Sequence, residues 1–93
     1  MYLSQAYMRN KTTGQKACLY LLSLIDAYRN NDSDLSTTVG ALKNQLRSIT
    51  TIWPQLTEKT SFKHLFEIDN SEELMVKPEH LGDLCRDLMR RND

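Results

Sequence analysis

Residues 15–29 constrain the fold more than any other stretch of this sequence. Ala17, Cys18, Leu19, Tyr20, Leu21, Leu22, Leu24, Ile25, Ala27 and Tyr28 recur so densely that, wound as a helix, they cover far more than the ~100° stripe of an ordinary amphipathic helix. A helix that is apolar on most sides must be covered on most sides. The whole chain has only 93 residues, enough for one modest core. This helix is therefore either the centre of a single bundle or has one face covered by another chain. It is not a membrane span. The apolar run at 18–28 contains Asp26 and is about half the ~20 residues that a span requires.

The rest of the sequence also reads as helix. Three glycines and two prolines punctuate it, and strand-like alternation is weak. A short helix is expected over residues 2–9, followed by a break at 11–14, with Thr12 or Thr13 capping the helix at 15–29. Residues 30–34, Asn-Asn-Asp-Ser-Asp, favour a turn because their side chains compete for backbone hydrogen bonds. A long helix over 35–53 carries Leu35, Val39, Leu42, Leu46 and Ile49, then Ile52 or Trp53, at alternating spacings of four and three. This is a heptad-like seam. Gly40 within it is either a weak spot, at about 1 kcal/mol relative to Ala, or a point of close helix approach. Pro54 ends the helix.

Residues 55–61 are the expected hinge, 61–68 a short helix and 69–73 a loop. Residues 74–76 are an apolar return, either extended or helical. Pro78 suits the first position of a last helix. There Leu81, Leu84, Cys85, Leu88 and Met89 form an apolar stripe, and Asp83–Arg86 and Asp87–Arg91 are local charge pairs. The expectation is a single all-α domain over residues 1–93, a small bundle of four to five helices.

Twelve basic and twelve acidic residues cancel, so overall charge does not point to nucleic acid or an anionic membrane. Their distribution is uneven. Residues 1–53 carry a net +3 and residues 54–93 a net −3. Glu67, Asp69, Glu72 and Glu73 form a cluster that is either a solvated loop or a face for a basic partner, where such charges steer association.

Motifs for chemistry are missing. The sequence has no GxGxxG, GxxxxGK[ST], GxSxG or HExxH. Cys18 and Cys85 are 67 positions apart, which is not a zinc spacing. They read as reduced core thiols, able to form a disulfide only if their helices are neighbours and the compartment is oxidising. His64 reads as a packed or surface histidine. His80 and Asp83, three apart on one helix, lack a third metal ligand.

The expected function is therefore a non-enzymatic, cytoplasmic protein-binding regulator (an adaptor, inhibitor or chaperone-like protein) with no cofactor and no metal. It is expected to bind another protein and to form a homodimer, built on the helix at 15–29 or the one at 35–53. The candidate partner-binding residues are Leu35, Val39, Leu42, Leu46, Trp53, Glu67, Asp69, Glu72 and Glu73. The alternative is a nucleic-acid-associated regulator using Lys43, Asn44 and Arg47, whose side chains suit phosphates and base edges.

Overall fold

The computed structural model describes residue 9, residues 11–76 and residues 78–91. Apart from Arg9, the short helix expected at residues 2–9 lies outside the described residues. The chain is an all-α bundle, with five α-helices among the described residues: α1 (Thr13–Arg29), α2 (Leu35–Ile52), α3 (Thr60–Phe66), α4 (Ser71–Val76) and α5 (Pro78–Met89). A 3-10 helix, Pro54–Glu58, joins α2 to α3. No strand occurs among the described residues, and no helix among them is long and apolar enough to cross a membrane.

Local chemistry sets most of the boundaries. Thr12 caps α1: its hydroxyl accepts from the Gln15 amide (3.1 Å), and the Gln15 side chain accepts from the Thr12 amide (3.0 Å). This reciprocal box satisfies two amides that the first turn leaves without partners, so α1 begins two residues earlier than expected and includes Gly14. At its other end Asn31 takes a left-handed backbone, φ 62°. The amides of Asn31 and Asp32 return to the carbonyls of Tyr28 (3.1 Å) and Ala27 (2.8 Å), closing the helix as Asn can at such a position. Asp34 then caps α2, its carboxylate accepting from the Thr37 amide at 2.7 Å.

α1 is the central helix. It packs against α2 on one side and α5 on the other, and α4 touches it as well. Ala17, Cys18, Leu21 and Ile25 of α1, Leu42, Leu46 and Ile49 of α2, and Leu81, Leu84, Cys85 and Leu88 of α5 form one buried core. Trp53, Leu56, Phe62, Leu65, Ile68 and Leu74 close it. The intervening segments therefore differ from the sequence expectation. The expected hinge at 55–61 is pinned, because Leu56 and Ser61 are buried. The expected loop at 69–73 becomes the start of α4. Asn70 is its cap, accepting from the Glu73 amide (2.8 Å) and donating to the Glu73 carboxylate (2.6 Å).

Gly40 lies on the exposed side of α2, and a Cβ built there meets nothing within 4 Å. It is not a point of close approach. Gly40→Ala should therefore raise the free energy of unfolding by about 1 kcal/mol, the helix-propensity difference, read as a higher urea midpoint at unchanged slope.

α3 and α5 share a polar seam around Asp83. The Ser61 hydroxyl donates to Asp83 at 2.6 Å, the Lys59 ammonium lies 3.4 Å away, and Arg86 lies 3.7 Å away. The Ser61 hydrogen bond, helped by Lys59 and Arg86, holds the Asp83 carboxyl below the usual carboxylate range. A carboxyl whose pKa is lowered on folding stabilises the fold above its unfolded pKa, and that contribution is lost as pH falls through the folded value. Asp83→Asn should lower stability at neutral pH and make the acid loss below about pH 4 shallower than in the parent protein. Urea titrations across the acid range would read both effects.

Candidate functional site

A cavity of about 350 Å³ opens between α1, α3, α4 and α5. Its walls are aliphatic: Leu22 and Ile25 from α1, Leu65 from α3, Ile68 from the following turn, Leu74 from α4 and Leu81 from α5, with Gly82 beside Leu81. Asp26, Arg29 and Glu73 are the charged groups in its lining. At roughly 30 Å³ per water-sized group, it has room for about a dozen non-hydrogen atoms, more than the side chain of any single Leu, Met or Phe.

The sequence places the acidic cluster beside this cavity. Within residues 67–74, Ile68 and Leu74 point inward and are buried, whereas Glu67, Asp69 and Glu72 are exposed and Glu73 is half-buried at the cavity. The segment that supplies part of an apolar wall therefore also supplies an acidic ridge next to it. α4 has only six residues, too few for an isolated helix to persist in water. Tertiary contacts hold it: Leu74 is buried in the core, and the Tyr28 hydroxyl donates to Ser71 Oγ at 2.7 Å, fastening the start of α4 to the last turn of α1.

The apolar residues expected to bind a partner lie elsewhere. Leu42, Leu46 and Trp53 are buried, and Leu35 and Val39 pack against the core as partly buried residues. The heptad-like seam of α2 thus faces α1 and the residues after Pro54, and Leu42 and Leu46 offer a partner no surface. Trp53 lies beneath the Arg91 guanidinium, 5.5 Å from its ring centre. Among the described residues the exposed large apolar side chains are Tyr20 (44%), Leu22 (40%), Ile52 (51%) and Met89 (54%). Tyr20 and Ile52 flank a shallow trough between α1 and α2, with Thr13, Lys16, Ala17, Gln45, Ser48 and Ile49. Leu22 stands at the cavity.

Of the residues expected to touch nucleic acid, Lys43 is half-buried and Asn44 and Arg47 are exposed. Arg47 is engaged within the chain. Its guanidinium donates to Asn44 Oδ1 at 2.9 Å and lies 5.3 Å from the Phe66 ring centre. His64 and His80 stack face to face, with centroids 4.4 Å apart and planes 12° apart. The in-plane lone pairs of parallel rings do not converge on one ion. Among the described residues no group of three His, Cys, Asp or Glu is placed to hold a metal. The buried Ser61 donates to Asp83, whose carboxyl this hydrogen bond, Lys59 and Arg86 hold below the usual carboxylate range, which makes it a weak base for activating the hydroxyl.

The acidic residues 67, 69, 72 and 73 stand out in the sequence, whereas the cavity beside them does not. The missed signal in the sequence was Asn70-Ser71-Glu72-Glu73, a cap followed by Glu three positions on, which would have placed Leu74 on a helix. No protein family, no curated protein and no solved structure matches this chain.

Proposed function

We propose that the protein is a non-enzymatic protein-binding module, and that its partner inserts a large apolar side chain into the α1–α3–α4–α5 cavity while basic residues lie along the acidic ridge. The observation that carries this reading is the juxtaposition of a roomy aliphatic cavity with Glu67, Asp69, Glu72 and Glu73 on the very segment that lines it. Helix-in-groove recognition works in this way, with apolar anchors supplying affinity. One buried anchor contributes about 1.5–3 kcal/mol. The ridge charges chiefly raise the association rate and select basic over acidic partners.

The test is a chemical-shift titration of the labelled protein with two amphipathic helical peptides of equal apolar content, one flanked by lysines and one by glutamates. The lysine peptide should perturb Leu22, Ile68 and Leu74, and the perturbation should weaken with salt. Glu72→Lys combined with Glu73→Lys should abolish it, and Leu22→Trp should block it at the mouth. Equal response to both peptides, or response to neither, would overturn the reading.

Self-association is a second reading, favoured by Tyr20 and Ile52 standing exposed on either side of the α1–α2 trough. Light scattering that shows a strict monomer at high micromolar concentration would exclude it.

A further inference from the structure

We infer that Cys18 and Cys85 form an oxidisable dithiol site that peroxide closes into a cystine fastening α1 to α5. Both thiols are free and buried. They face each other across a close contact between α1 and α5. That contact is centred on Gly14, where an added Cβ would collide with the Leu88 carbonyl oxygen. One turn along α1 from Gly14 is Cys18. One turn back along α5 from Leu88 is Cys85. The helices run antiparallel, so the two steps lead to the same level, and the Cys85 thiol donates to the Cys18 carbonyl at 3.9 Å.

The close approach is what makes a bridge feasible. Packed helices usually keep their axes about 8–10 Å apart, and a cystine requires Cα atoms about 4.4–6.8 Å apart. A glycine at the contact draws the backbones together one turn from the thiols. The proposal is independent of what occupies the cavity.

The two sulfurs are not equivalent. The neighbouring Cys85 thiol favours the Cys18 thiolate and lowers its pKa, whereas the same pairing together with burial pushes Cys85 up. Cys18 is therefore the nucleophile. Its thiolate attacks one peroxide oxygen, the O–O bond breaks, and the departing hydroxide takes up the thiol proton as water. The product is a sulfenic acid on Cys18. The Cys85 sulfur then attacks the Cys18 sulfur, the S–O bond breaks, and a second water leaves carrying the Cys85 proton. Two thiols lose two electrons in total and one hydrogen peroxide gains them. Burial slows this chemistry without forbidding it, since peroxide is small and helix contacts open locally.

The experiment uses the folded full chain, reduced and then exposed to a small excess of hydrogen peroxide at neutral pH. Peptide mapping without reductant follows, because methionine oxidation would obscure the intact mass. The expected result is a cross-linked pair of peptides carrying Cys18 and Cys85, a thiol titre falling from two per chain to none, and full reversal by dithiothreitol. Cys85→Ser should leave Cys18 as a sulfenic acid that a carbon nucleophile such as dimedone traps. Both thiols still titratable after the methionines are oxidised would overturn the proposal. So would separate over-oxidation of the two cysteines without a cross-link, or a cross-link that forms only in chain unfolded by urea.

Discussion

Leu42→Ala should lower the free energy of unfolding by about 2–5 kcal/mol, the range for truncating a wholly buried leucine whose site cannot collapse. Leu42 is completely buried, one turn of α2 from the equally buried Leu46, in a core whose other side is α1. A domain of this size is stabilised by about 5–15 kcal/mol in total, so the loss is a large share of what holds the fold together. Urea denaturation followed by helical circular dichroism would measure it as a lower midpoint at unchanged slope. A loss below about 1 kcal/mol would mean that the α2 seam faces solvent.

Gly14→Ala should destabilise by about 3 kcal/mol, the upper part of the overpacking range, even though helix propensity alone favours alanine by about 1 kcal/mol. The new Cβ would collide with the Leu88 carbonyl oxygen. That oxygen has little freedom to move, because it accepts from the Arg91 amide at 3.2 Å near the end of α5. The helices must separate instead, which opens the contacts of Cys18, Leu21, Leu84 and Leu88. Gly40→Ala is the same chemical change on the exposed side of the neighbouring helix and has the opposite expected sign. Thermal melts of the two variants, measured side by side, would separate collision from propensity.

Periodicity in the sequence is enough to recognise α1, α2 and α5, since each is long enough for its buried stripe to repeat. α1 in particular reads as the central helix because apolar residues recur around most of it, although the structure leaves Tyr20 and Leu22 exposed. The destination of the α2 seam is not legible in the same way. Leu42 and Leu46 would show identical spacing in a dimer and in a monomer, because spacing reports the helical period and not which surface covers it. α4 is too short to show a period, and its acidic first turn resembles a solvated loop unless the Asn70–Glu73 box is recognised. The cavity draws four residues from α1 and one or two from each of the later elements up to Gly82, so no local pattern marks it. The acidic half of the candidate site, by contrast, is contiguous and plain.

The Gly14–Leu88 contact joins distant parts of the chain. α1 and α2 are joined by the short turn at 30–34, so their pairing closes a small loop. Docking α5 on α1 closes a loop of most of the chain, at a larger loss of chain entropy. Loop closure therefore favours the α1–α2 hairpin organising first and α5 locking onto it afterwards. Truncations in the hairpin core, such as Leu46→Ala, will chiefly slow folding. Truncations in α5, such as Leu84→Ala, will chiefly hasten unfolding. On that order the lifetime of the native state is set at the α1–α5 seam, where the main chains meet at Gly14 and Leu88.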